Sequence, residues 1–137
     1  MEDLFYFPPE PISVDDIADV ARDAGLTFQT HPPDDLTIYY TDDNFWSWQE
    51  LHDDGGADMV GFEEADRATM AALSYAKVFM ISLRPASLPK LCEFLAMVLQ
   101  RYGGWIGSDS EGLYPIFTSA NIADLAHMRL GYGPLSG

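Results

Sequence analysis

The strongest constraint on the fold is one order of signals that occurs twice. A β-prone run, a proline, a serine, an amphipathic stretch, a glycine and a second β-prone run fill residues 3–28 and again residues 78–106. Phe7 aligns with Ile81, Pro11 with Pro85, Ser13 with Ser87 and Ile17 with Leu91, each at an offset of 74. In the first copy Ser13 caps a helix with Asp15 and Asp16 in its first turn, where carboxylates favour the helix dipole. Val14, Ile17, Ala18, Ala21 and Ala24 share one face; Asp15, Asp19, Arg22 and Asp23 share the other. Gly25 ends this helix. In the second copy residues 78–83 are almost continuously apolar, which suits a strand buried on both faces. Ser87 is the expected N-cap, with Pro89 in the first turn. Leu88, Leu91, Cys92, Leu95, Val98, Leu99 and Tyr102 then form an i, i+3, i+4, i+7 stripe. Phe94 and Met97 widen it, so this helix is expected to be covered on more than one side. Gly103-Gly104 stops it.

Between the copies, residues 26–31 read as a strand. Residues 36–41 and 45–51 read as a hairpin joined by Thr41-Asp42-Asp43-Asn44. Alternation puts Trp46 and Trp48 on one face, and Phe45 and Ser47 on the other. Residues 52–56 read as a loop and 59–62 as a short strand. In 63–76, Phe62, Ala65, Thr69, Ala72, Leu73 and Ala76 have helical spacing, but no residue caps the segment clearly. Beyond the second copy, residues 105–106 and 113–118 suit short strands about a 107–112 turn. Ser119 would cap a short helix containing Ile122 and Leu125, and residues 131–137 form a tail. The expected fold is α+β, one domain over residues 1–137. It has a mixed, mostly antiparallel sheet with two main helices on one face: ferredoxin-like β-α-β pairs plus a hairpin.

Charge bounds the function. Eighteen of the 22 acids lie in the first 66 residues against one base, Arg22, leaving −17; residues 67–137 hold six bases against four acids, leaving +2. Like charges so concentrated repel and weaken the compact state. With 47% hydrophobic residues the chain still has material for a core, so acidity does not imply disorder. Seven bases cannot supply the phosphate contacts on which nucleic-acid affinity rests. An acidic surface also repels anionic membranes, and no apolar run approaches the ~20 residues of a span. Met1-Glu2-Asp3 is acidic where a signal peptide would be basic. One cysteine, Cys92, allows neither an internal disulfide nor a cysteine-based zinc site. The chain is expected in a reducing cytoplasm.

Chemical motifs are sparse. His31-Pro-Pro-Asp34-Asp35 and His52-Asp53-Asp54 contain metal-ligating side-chain types, but both fall in expected loops with no converging geometry. Solvated loop residues are the expected reading, with no metal, no cofactor and no catalytic residue. Glu63-Glu64-Asp66 would cap and charge a helix start as well as serve acid/base chemistry. Gly103-Gly104-Trp105-Ile106-Gly107 lacks the lysine of a Walker loop and follows a helix, so it reads as a helix stop and turn. The acids flanking the hairpin aromatics point instead to binding. The expected partner surface comprises Asp34, Asp35, Asp42, Asp43, Trp46, Trp48, Asp53, Asp54, Glu63 and Glu64. Trp46 and Trp48 keep two readings: buried on the core face of the hairpin, or anchors at an interface, where tryptophan is enriched.

Residues 78–125 carry a resemblance. The strand Val-Phe-Met-Ile-Ser-Leu is followed by Arg-Pro-Ala-Ser-Leu-Pro, then a helix, then Tyr-Gly-Gly-Trp-Ile-Gly-Ser-Asp, then Ile-Phe-Thr-Ser-Ala-Asn-Ile-Ala-Asp-Leu. This resembles small bacterial immunity proteins, the antidotes of polymorphic or type VI-secreted toxins. The resemblance covers about a third of the chain and transfers no functional residue. It implies a cytoplasmic, non-enzymatic inhibitor of a cognate protein toxin, one expected to be basic around its active site. Two alternatives share parts of this pattern. A nucleic-acid-mimicking inhibitor of a host protein would use the same carboxylates, and a small metal-dependent enzyme would use the His-acid clusters.

Overall fold

The computed structural model describes residues 2–31, 34–41, 43–51, 62–129 and 133–134. One seven-stranded sheet organises them. Its strands are β1 (Glu2–Phe7), β2 (Thr27–His31), β3 (Asp35–Tyr39), β4 (Phe45–Leu51), β5 (Val78–Leu83), β6 (Trp105–Ser108) and β7 (Ile116–Phe117), in the order β2-β3-β4-β5-β1-β6-β7. The expected α+β class is the one the chain adopts, and every neighbouring pair of this sheet is antiparallel.

The repeated order of signals maps onto the topology as ferredoxin-like, split β-α-β pairs require. The two strands of each repeat are not neighbours. β1 lies between β5 and β6, pairing Leu4 with Ile81 on one side and with Ser108 on the other. β1 and β2 are separated by β3, β4 and β5. The acidic half of the sequence therefore supplies the strand at the centre of the other half's β-α-β unit.

Helices α1 (Val14–Asp23) and α3 (Leu88–Tyr102) pack on one face of the sheet. There Leu4, Tyr6, Leu36, Ile38, Trp46, Trp48, Phe79, Ile81, Leu83 and Ile106 meet the apolar stripes of both helices. A third helix, α2 (Glu64–Leu73), lies on the opposite face. It covers a smaller core of Phe5, Phe7, Leu51, Phe62, Met70, Val78, Trp105 and Leu113. Strands β1 and β5 are thus buried on both sides, which is why residues 78–83 are apolar almost without interruption.

Local starts and stops follow from side chains in reach. The Asp16 carboxylate accepts the Ser13 N–H at 2.8 Å, satisfying a donor at the start of α1. α2 begins the same way: the Glu63 N–H donates to Asp66 at 2.9 Å. Glu63 is therefore the cap, within the Glu63-Glu64-Asp66 run that suited a helix start. Glutamate is not a preferred capping residue, so the signal was in the aspartate three positions on. Ser87 is not an extended N-cap as expected. It has helical backbone angles (φ −85°, ψ −7°) and ends a 3-10 turn, Pro85–Ser87, that runs directly into α3. Beyond β7, residues Ile122–His127 form a 3-10 helix. Part of the expected tail is a strand, with Gly133–Pro134 pairing with Met128–Arg129. The expected strand at 59–62 and loop at 52–56 lie outside the described residues, apart from Phe62.

Candidate functional site

Alternation along β4 decides the two tryptophans. Trp46 and Trp48 are both 0% exposed and face the α1–α3 core. Trp48 packs edge-on to Tyr6 and Phe79, with centroids 5.9 Å from each, and Phe94 touches both indoles. They are core residues and are withdrawn from the expected partner surface. The reason is register: Trp46 pairs with Leu83 and Trp48 with Ile81, so both stand on the helix-covered side. Neither indole N–H has a hydrogen-bond acceptor. An unpaired buried donor costs about 1–3 kcal/mol, here outweighed by the aromatic area enclosed.

The expected acids do not form one patch. Asp34 and Asp35 lie at the start of β3, and Asp43 beyond its other end, so the strand's length, about 16 Å, separates them. Asp34 and Asp35 are half-buried; Asp43 is exposed. Glu63 and Glu64 are exposed at the start of α2, on the sheet's second face. Asp42, Asp53 and Asp54 lie outside the described residues, as does His52. His31 is exposed and pairs across the ladder with Asp35. Among the described residues no three His, Cys, Asp or Glu side chains are placed to hold one metal ion.

α1 and α3 pack on one face of the sheet and leave the second face of β2, β3 and β4 uncovered by them. Register aligns its side chains in rows. One row runs Gln29, Thr37, Ser47, Ser82, Asp3, and the next runs His31, Asp35, Gln49, Met80, Phe5. Thr27, Gln29 and His31 are exposed, and Thr37, Tyr39, Phe45, Ser47 and Gln49 half-buried. Tyr39 and Phe45 sit 5.6 Å apart with the Arg84 guanidinium over the Phe45 ring. Hydroxyls link strands within a row: Ser82 donates to Asp3 at 2.8 Å, and Thr37 and Ser47 meet at 3.5 Å.

Both rows lead into a cavity of about 310 Å³. Gln49, Met80 and Phe5 form its floor, with Asp3 and Leu51 one row to either side. Phe62 and Asp66 from the start of α2 form one wall, Asp109 and Leu113 from the segment after β6 another. Gly107 lets that second wall sit close, since a Cβ there would lie 3.0 Å from Leu113 Cβ. Phe5 and Phe62 are tilted against each other at 5.0 Å. Three carboxylates line a largely apolar hollow. Asp66 is only 9% exposed; one of its oxygens accepts the Glu63 N–H, and the other, Oδ1, has no hydrogen-bond partner. A buried carboxylate oxygen left unpaired is costly, and such exceptions in native folds call for an explanation. Glu63-Glu64-Asp66 was visible in the sequence as helix-start charge. That Asp3 and Asp109 join it was not, because they come from segments about a hundred residues apart.

No family model matches this sequence, and no curated protein or solved structure matches it significantly.

Proposed function

We propose that the chain is a non-enzymatic inhibitor. It binds a cognate protein toxin, basic around its active site, through the second face of its sheet, in the cytoplasm of the cell that makes it. The observation that carries this reading is the charge of the first 66 residues together with its placement. Asp66 is buried, while Asp3, Glu10, Asp15, Asp16, Asp19, Asp23, Asp34, Asp35, Asp43, Glu50, Glu63 and Glu64 are exposed or half-exposed. Ion pairs join Asp19 to Arg22, Asp23 to Arg101 and Glu50 to Lys77, which leaves the strong acidic excess intact. Such a field steers a basic partner and raises its on-rate by roughly 10 to 10³. The open rows of hydroxyls, amides and aromatics supply close contacts that charge alone lacks. Protection against a lethal enzyme requires slow dissociation, which those short-range contacts control.

The test is co-expression with the product of the neighbouring gene, followed by binding kinetics at several salt concentrations. Rescue of growth, and an on-rate falling with salt, are expected. Exchanging Asp34, Asp43 and Glu64 for their amides should slow association and flatten the salt dependence. A non-toxic neighbour, or one neither bound nor inhibited, sinks the reading.

A further inference from the structure

We propose that the cavity between α2 and the sheet is a socket for one arginine side chain of the bound protein. The inference rests on the inhibitor reading for where the arginine comes from, and on the cavity alone for the chemistry. Three features converge. Asp66 Oδ1 is buried without a donor on a side chain that lines the cavity, so the folded chain holds an acceptor that it does not itself use. Asp3 and Asp109 bring two further carboxylates to the same hollow. The remaining lining, Phe5, Leu51, Phe62, Met80 and Leu113, is apolar and suits an aliphatic stem.

Guanidinium fits this set better than ammonium. It is planar and weakly hydrated, so it enters an apolar hollow at lower cost, and its face stacks on rings such as Phe5 and Phe62. Its fork of donors can reach more than one carboxylate at once. The open rows that run from the β2–β4 face into the cavity give a protein-borne arginine a surface to lie along. A free small cation would need only the hollow.

The test uses the full chain and two probes, n-butylguanidinium and its neutral counterpart n-butylurea, followed by backbone amide shifts. Butylguanidinium should give saturable shifts at Phe62, Asp66 and Leu113; butylurea should not. Asp66→Asn keeps an oxygen for the Glu63 N–H, and its thermal midpoint verifies that it folds. It should weaken butylguanidinium by about tenfold or more, as loss of a charge-assisted hydrogen bond does. Asp3→Asn, at a half-buried position, should weaken it less. Equal response to both probes, or unchanged affinity in a folded Asp66→Asn, overturns the socket. With the neighbouring gene's product in hand, butylguanidinium should compete for binding, and Asp66→Asn should raise the off-rate. If that product binds and neither effect is seen, the protein-borne arginine is refuted while the inhibitor reading stands. If butylguanidinium binds but no toxin does, the hollow is a small-cation site and the inhibitor reading falls.

Discussion

Leu95 is enclosed completely at the centre of the α3 stripe. Leu95→Ala should cost about 2–5 kcal/mol in urea unfolding, since the surrounding core relaxes only partly around the lost methyls. A change within about 0.5 kcal/mol, typical of surface positions, would place the residue outside the core. Cys92 lies on the same helix, and burial, with a smaller contribution from Glu93, pushes its thiol up from 9.0 to about 12. The raised value favours the neutral thiol in the fold. Its contribution is therefore fully present below pH 9 and is lost as pH rises from about 9 toward 12, because the unfolded chain ionises first. Stability should fall through that alkaline window, and less steeply in Cys92→Ala. Tyr6 acts in the same direction: burial raises its phenol, whose hydroxyl donates to the Gly103 carbonyl at 2.7 Å. Both groups follow from the apolar spacing that placed them inside, although the Tyr6 bond needs a partner 97 residues away.

Gly103 and Gly104 show what a helix stop does when two elements meet. Gly103 ends α3 at φ +77°, and Gly104 continues at φ +92°. A Cβ on Gly104 would lie 2.4 Å from the Phe7 carbonyl oxygen and 2.9 Å from Pro8 Cα. Gly104→Ala combines a disfavoured backbone angle with a backbone clash, so it should lower stability by about 1–3 kcal/mol or more. Gly25→Ala, also at positive φ but with open space around its Cβ, should cost less in the same unfolding series. Equal losses would mean that the close approach to β1 carries no energy. At this scale the helices and the hairpin were legible, because periodicities of 3.6 and 2 are written along the chain. The start of α2 was legible only as the acidic run Glu63-Glu64-Asp66, not as the residue within it that makes the capping contact. Its cap is a glutamate, and the stabilising contact is made by Asp66, a residue type common throughout this half of the sequence.

For the whole molecule, the net charge of −15 and its concentration before residue 67 leave much repulsion unrelieved. Screening should therefore stabilise the fold. The thermal midpoint should rise between low salt and 0.15 M NaCl, where the Debye length shrinks to about 8 Å. At this chain length about 3 °C corresponds to 1 kcal/mol. A midpoint that falls with added salt would mean that attractive surface pairs outweigh the repulsion. The acidic half is not a separate lobe on a neutral scaffold. β1 lies inside the sheet between β5 and β6, and α1 shares a core with α3, so repulsion in the first half loads the same packing that the second half builds.

The sequence by itself determined what is local. The α+β class follows from its alternating periods, the two long helices from their apolar stripes, and the side of β4 shared by Trp46 and Trp48 from alternation. The charge asymmetry required no structure at all. Tertiary structure decided everything that depends on which segments become neighbours. Register turned both tryptophans toward the helices rather than toward a partner. The fold also separated Asp34 and Asp35 from Asp43 by the length of a strand. Finally it brought Asp3, Asp66 and Asp109 to one hollow. Side-chain period is a property of consecutive residues and can be read along the chain. A site assembled from three distant segments exists only once the backbone hydrogen bonds of the sheet set their register.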